Sequence, residues 1–333
     1  MIRLITAKKK TDLFNITRVK PNKKKDKISF ILNYIGKNFL YLVNPLTKEI
    51  KKIAIREDFK QPIQCHWLNE NTLLILTSLE KNSNQEIWLF NIHTNEYSKV
   101  KIPLRLIEEP LCISSNGYEI CFSTTINNLK YLFTYHLFSR KLKQIEFNDG
   151  VFGESSFWTK DGWIYLSFKE CKDKKYKIIA VKEDGSSKKE VLDLSSMSNE
   201  ILVDISEDGS LLAFHSDCYG IIRTAIFDTL TKQIIWYGSG YTNEIPIEIS
   251  KDEQFLLAKR KIDFKTQPII YNIDTMKQHI LSNVFTIFEM HFCIDDEFLI
   301  YTRADYHSTN VVALYDLIED TEEIIFELNP ALY

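Results

Sequence analysis

The stretch Ile205-Ser-Glu-Asp-Gly-Ser-Leu-Leu-Ala-Phe214 decides the fold. Its centre, Ser-Glu-Asp-Gly, is a turn: serine and aspartate bond their own backbone, and glycine accepts a left-handed conformation. The run that follows is almost wholly apolar, which suits a strand covered on both faces. The same phrase stands at Ile113-Ser-Ser-Asn-Gly-Tyr-Glu-Ile-Cys-Phe122 and at Trp158-Thr-Lys-Asp-Gly-Trp-Ile-Tyr-Leu166. It returns, degraded, at Ile249-Ser-Lys-Asp-Glu-Gln-Phe-Leu-Leu257 and Ile294-Asp-Asp-Glu-Phe-Leu-Ile300, and an earlier copy is Trp67-Leu-Asn-Glu-Asn-Thr-Leu-Leu-Ile75. The turn markers Asn71, Gly117, Gly162, Gly209, Glu253 and Glu297 are 46, 45, 47, 44 and 44 residues apart. One period further back lies the turn Lys20 to Asp26, before the apolar Ile28-Ser-Phe-Ile-Leu32. That makes seven copies.

Each copy has a second half: two strands joined by a polar turn. Examples are Thr224-Ala-Ile-Phe-Asp-Thr-Leu-Thr-Lys-Gln-Ile-Ile-Trp236 and Ile269-Ile-Tyr-Asn-Ile-Asp-Thr-Met-Lys-Gln-His-Ile280. The Asn or Asp opening these turns caps its own backbone. Four strands per repeat of this length make a propeller blade, and seven blades lie within the usual range. A lone blade, apolar on both faces, buries neither; stacking in a closed ring buries both. No window of useful length keeps a helical period without a turn signal. The expectation is therefore an all-β, seven-bladed propeller of four-stranded antiparallel blades. It forms a single domain, 1–333, with blades near 10–59, 60–105, 106–150, 151–197, 198–241, 242–284 and 285–330. Met1 to Ala7 is apolar enough for an additional edge strand beside the last blade, which already has a fourth strand near Glu323 to Leu328.

Composition narrows the function classes. With 42 Lys and Arg against 45 Asp and Glu, the net charge of −3 gives no electrostatic footprint for nucleic acid. No apolar run is long enough for a membrane helix, and the amino terminus lacks a signal-peptide pattern, so the expected compartment is the cytoplasm. Charge is uneven, however. Residues 1–60 carry 16 basic against 5 acidic side chains, and residues 281–333 carry 1 against 11. These ends form the first and last blades, so opposite charge would assist the seam that closes the ring. The Lys23-Lys-Lys25 run reads as a solvated turn tip.

Motifs for chemistry are sparse. No G-x-S-x-G elbow, H-E-x-x-H, Walker loop or G-x-G-x-x-G occurs. The six cysteines show no zinc spacing; Cys65, Cys112 and Cys293 read as small buried hydrophobes. His215-Ser-Asp-Cys218, at a strand end, has no partner motif, so His215 reads as a loop histidine rather than a zinc ligand. No cofactor, no metal and no catalytic residue is expected in this chain. The residues singled out are His66, Asp204, Glu248 and His291, each on the first strand of a different blade and alternating with apolar neighbours. They are candidates to line a water-filled channel, hydrated or mutually paired.

Asp204 to Ser216 together with Ile234 to Ser250 resembles the amino-terminal propeller of the prolyl-oligopeptidase family of serine peptidases, above all its acylaminoacyl-peptidase and dipeptidyl-peptidase-like branch. There a strand pair with an S-x-D-G turn precedes a hairpin with a T-x-x turn in each blade. Leu328-Asn-Pro-Ala-Leu332 is similar to the phrase with which that propeller passes into the α/β-hydrolase domain. TolB-type and other WD-like propellers share the blade motif. The resemblance implies a non-catalytic gating cap, acting with a hydrolase that this sequence does not include. Paired glutamates of the dipeptidyl-peptidase kind are not apparent near Glu154, so no substrate residue carries over. The implied partner is an α/β-hydrolase peptidase domain or another protein, with short peptides passing through, and neither nucleic acid nor membrane. The hydrolase would meet the loops that feed the first strands, including Asn148 to Phe152 and Ser239 to Asn243. The alternative is a free-standing scaffold that binds a protein through one face; a propeller enzyme with its site in the channel is a third reading.

Overall fold

The computed structural model describes residues 14–22, 24–34, 37–53, 61–78, 85–104, 107–147, 150–173, 175–194, 198–262, 265–281, 287–303 and 311–327. They form seven four-stranded antiparallel sheets, each built from four consecutive strands. The protein is an all-β, seven-bladed β-propeller. First strands begin at Phe14, Gln61, Glu108, Gly150, Glu200, Glu244 and Ile287, and no helix occurs among the described residues. Met1 to Ala7 and Leu328 to Leu332 lie outside those residues.

The turns form as their residues dictate. Between first and second strands, the hydroxyls of Ser114, Ser206 and Ser250 accept the N–H groups of Glu119, Leu211 and Phe255 at 2.9, 3.0 and 2.8 Å. Gly117, Gly162 and Gly209 take left-handed φ values of 73°, 78° and 78°, the conformation that costs glycine least. Between third and fourth strands, Asn44, Asn91, Asp228 and Asp316 each accept N–H bonds from two and three residues ahead. These caps leave a dense interior: Leu212, Ala213 and Phe214, on the second strand of the deciding stretch, are all 0% exposed.

The chain divides into two compact units. One comprises Met1–Val100, Lys265–Gln267 and Ser282–Tyr333, and so contains blades 1, 2 and 7. Here the last blade packs on the first. Ile16, Val19, Ile28 and Phe30 join Cys293, Ile300, Val312 and Leu314 in one core. Phe30 stacks on Tyr41 at 5.3 Å, and Phe326 closes on both rings at 5.4 and 5.7 Å. No strand is shared between the two blades, so side chains carry much of the joint. Glu289 accepts the backbone N–H groups of Arg18 and Val19 at 2.9 and 2.6 Å. Lys25 Nζ lies 2.6 Å from Asp296, and Lys48 pairs with Glu323 at 2.5 Å. Lys25 therefore corrects the reading of its lysine run. It is buried, while Lys24 alone keeps the expected exposure and Lys23 is outside the described residues. The opposite charges of the chain ends meet at this seam. The exposed Lys48 pair adds little. Removing one member of the buried pair would strand the other charge and cost about 3–5 kcal/mol.

The second unit, Lys101–Phe264 with Pro268–Leu281, contains blades 3 to 6. Blades 4 and 5 share a core of Tyr165, Ile178, Leu192, Leu202, Leu212 and Phe214. Blades 5 and 6 share Ala213, Ile226, Tyr237, Leu256 and Tyr271.

Candidate functional site

His66, Asp204, Glu248 and His291 occupy one register position. Each pairs with the third residue of its neighbouring second strand, respectively Leu74, Ala213, Leu257 and Ile300. Within the second unit, Asp204 is tied down: its carboxylate accepts the N–H of Ile249 at 2.7 Å, stitching the first strand of blade 5 to that of blade 6. Glu248 is half-buried on that blade-6 strand. Within the first unit, His66 and His291 are half-buried on their strands. Burial, aided by the charges of Lys20 and Arg18, pushes His66 down to about 3, so its imidazole is neutral at pH 7. Lys20 itself, 46 residues before His66, was not among the candidates, although the repeat length alone points to it. His215 is likewise pushed down to about 4 by burial, which Asp217 opposes and Lys259 reinforces. Among the described residues no three His, Cys, Asp or Glu converge as a metal site. Cys65, Cys112 and Cys293 are buried as expected.

A second set of polar groups was not legible as motifs. Glu200 and Glu244 open the first strands of blades 5 and 6, exactly one 44-residue period apart in the sequence. Both are buried, at 0% and 1% exposure. Opposite Glu244 stands Arg260, whose Nε donates to Oε1 at 2.8 Å; Tyr271 donates to Oε2 at 2.5 Å, and Thr242 to Oε1 at 3.3 Å. A Cβ on Gly238 would come within 2.2 Å of this carboxylate, so the loop Gly238 to Asn243 runs tight against it. Opposite Glu200 stands Ser216 instead of an arginine. Ser198 and Ser216 donate to Oε1 at 2.5 and 3.3 Å, and Oε2 is left without a partner. Burial accordingly raises the Glu200 carboxyl above its ordinary value.

The arginine of blade 5 sits one strand further out. Arg223 is the register partner of Ser216 on the third strand. Its guanidinium carbon lies 5.2 Å from the ring centres of both Tyr219 and Trp236, and these two rings meet edge-on at 5.3 Å. Its Nε is buried without an acceptor. Asn243 holds the neighbouring loop in place by accepting the N–H of Ile222 at 3.0 Å. Tyr219, although part of this cluster, is 61% exposed, and Tyr241 in the neighbouring loop is 90% exposed.

Seven such blades invite comparison with solved propellers. The chain is similar to a puromycin-hydrolyzing peptidase of Mycobacterium tuberculosis, with a TM-score of 0.75 and 8% identity, over 95% of this chain and 54% of that one. It is similar to prolyl oligopeptidase B of Galerina marginata, with a TM-score of 0.72 and 10% identity, over 97% of this chain and 53% of that one. A putative TolB of Agrobacterium tumefaciens matches with a TM-score of 0.56 and 14% identity, over 74% of this chain and 90% of that one. The likeness is one of fold. This chain spans about half the length of each of the two peptidases. No family model and no curated protein matches its sequence.

Proposed function

We propose that this propeller is a non-catalytic docking and gating domain that works with an α/β-hydrolase peptidase domain, carried on the same protein or on another. The observation that carries this reading is the fold match: 95% and 97% of the chain superpose on two peptidases about twice its length. Hydrolysis needs a nucleophile held against a base and an oxyanion hole, and in this reading the partner supplies all three. The propeller contributes a docking surface at the loops feeding its first strands, and it restricts access to short peptides.

The test combines two measurements on the purified chain. A chromogenic acyl-aminoacyl substrate should show no turnover and a fluorophosphonate probe no labelling. A separately purified α/β-hydrolase from the same organism, drawn from those encoded beside this chain, should co-elute with it. Probe labelling of a serine in this chain overturns the non-catalytic assignment, and failure of every neighbouring hydrolase to bind overturns the pairing. The TolB likeness supports a second reading, a free-standing protein-binding scaffold, which a stable complex with a non-hydrolase would favour.

A further inference from the structure

Three guanidinium groups lie within the sheets of blades 5, 6 and 7. Arg260 is neutralised by Glu244 and Arg303 by Glu322, at 2.8 and 2.7 Å. Arg223, half-buried like them, is not. Among the described residues its guanidinium makes no hydrogen bond and no ion pair, and Tyr219 and Trp236 are its ring neighbours. The loop beside Arg223 is set by glycine. Gly240 has φ +76°, and a Cβ there would stand 3.8 Å from the guanidinium carbon.

An arginine stays charged at every physiological pH. Packed against a pair of touching rings it has lost much of its freedom before any ligand arrives, so a planar acceptor pays little to bind it. Carboxylate matches the guanidinium fork with two parallel hydrogen bonds. Arginine, tyrosine and tryptophan are also the residues that dominate protein interfaces when they cluster, and here the cation packs against Trp236 and exposed Tyr219. A single cation of this kind does not suit nucleic acid, whose binding sums over several phosphates.

From the unneutralised guanidinium of Arg223, packed against Trp236 and exposed Tyr219 with the Gly240 loop beside it, we infer that this patch docks an Asp or Glu side chain of a protein partner. The inference rests on the reading that a protein binds at the loops feeding the first strands, and adds the chemistry of the contact.

The test uses the whole chain and a pair of blocked pentapeptides, Leu-Leu-Glu-Leu-Leu and its central-Gln twin, followed by 15N-resolved NMR. The indole resonance of Trp236, assigned through Trp236→Phe, and the Nε resonance of Arg223 are the reporters. The Glu peptide should shift both saturably, and its Gln twin should bind at least tenfold more weakly. Arg223→Gln should abolish the Trp236 response, whereas Arg140→Gln, in an exposed turn, should leave it intact; unchanged thermal midpoints exclude unfolding. Equal shifts from both peptides, a response that survives Arg223→Gln, or inorganic phosphate acting as strongly as the Glu peptide would each overturn the inference. Peptide binding without any hydrolase complex refutes the functional reading alone; a hydrolase complex indifferent to Arg223→Gln refutes this inference alone.

Discussion

Glu244 and Glu200 hold the same place in consecutive blades and lead different lives. In blade 6 the carboxylate is saturated by Arg260, Tyr271 and Thr242. In blade 5 the corresponding positions are Ser216 and Phe227, so one carboxylate oxygen has no partner and the arginine has moved outward to Arg223. A repeat fixes where a side chain stands; it does not fix whether its charge is consumed inside the fold. Blade 6 uses its ion pair to hold a loop, while blade 5 leaves its cation available.

The largest effect should come from breaking the saturated network. Glu244→Ala strands Arg260 in a buried setting and should cost about 3–5 kcal/mol in urea unfolding; a loss below about 1 kcal/mol would place the two glutamates on equal footing. Tyr271→Phe makes blade 6 resemble blade 5 by removing one donor. It should cost about 1–3 kcal/mol, the penalty of an unsatisfied buried acceptor.

Glu200→Gln should act in the opposite direction. The raised carboxyl of Glu200 favours its protonated form in the folded state. Its contribution to stability is thus intact below the ordinary glutamate range and is lost as pH rises through the raised folded value. The Gln variant should match the parent in acid and exceed it in stability near neutral pH, by about 1 kcal/mol. A gap that widens toward acid would refute this. The smallest expected change is Phe227→Tyr, which returns a hydroxyl to blade 5 at the position of Tyr271. A new hydrogen bond to Glu200 should stabilise by about 0.5–1.5 kcal/mol and lower the Glu200 carboxyl, visible in its side-chain NMR titration.

How much of this was legible follows from what repeats. The Ser-x-Asp-Gly turn and the Asn or Asp that opens the outer hairpin are local chemistry, and their spacing sufficed for seven blades. The register of His66, Asp204, Glu248 and His291 was also local, because alternation along one strand shows it. Asp204's bond to Ile249 was not, since it crosses to the next blade. Lys25 misled for the same reason: its partner Asp296 is 271 residues away, and a lysine run looks solvated until that distant carboxylate is placed. Glu200 and Arg223 gave no motif, because their character lies in partners that are missing rather than in neighbours that are present.

The joint between blades 7 and 1 also has a history during synthesis. Every sheet is made of consecutive strands, so blade 1 can assemble as soon as its own residues leave the ribosome. The residues that cover Val19, Phe30 and Lys25 do not exist until the chain reaches its last fifth. At ~5–20 residues per second, that seam stays open for roughly a quarter of a minute to a minute. During that time one nascent blade presents an apolar face rimmed with lysines, which gives chaperones and like-charge repulsion the task of keeping it from other chains.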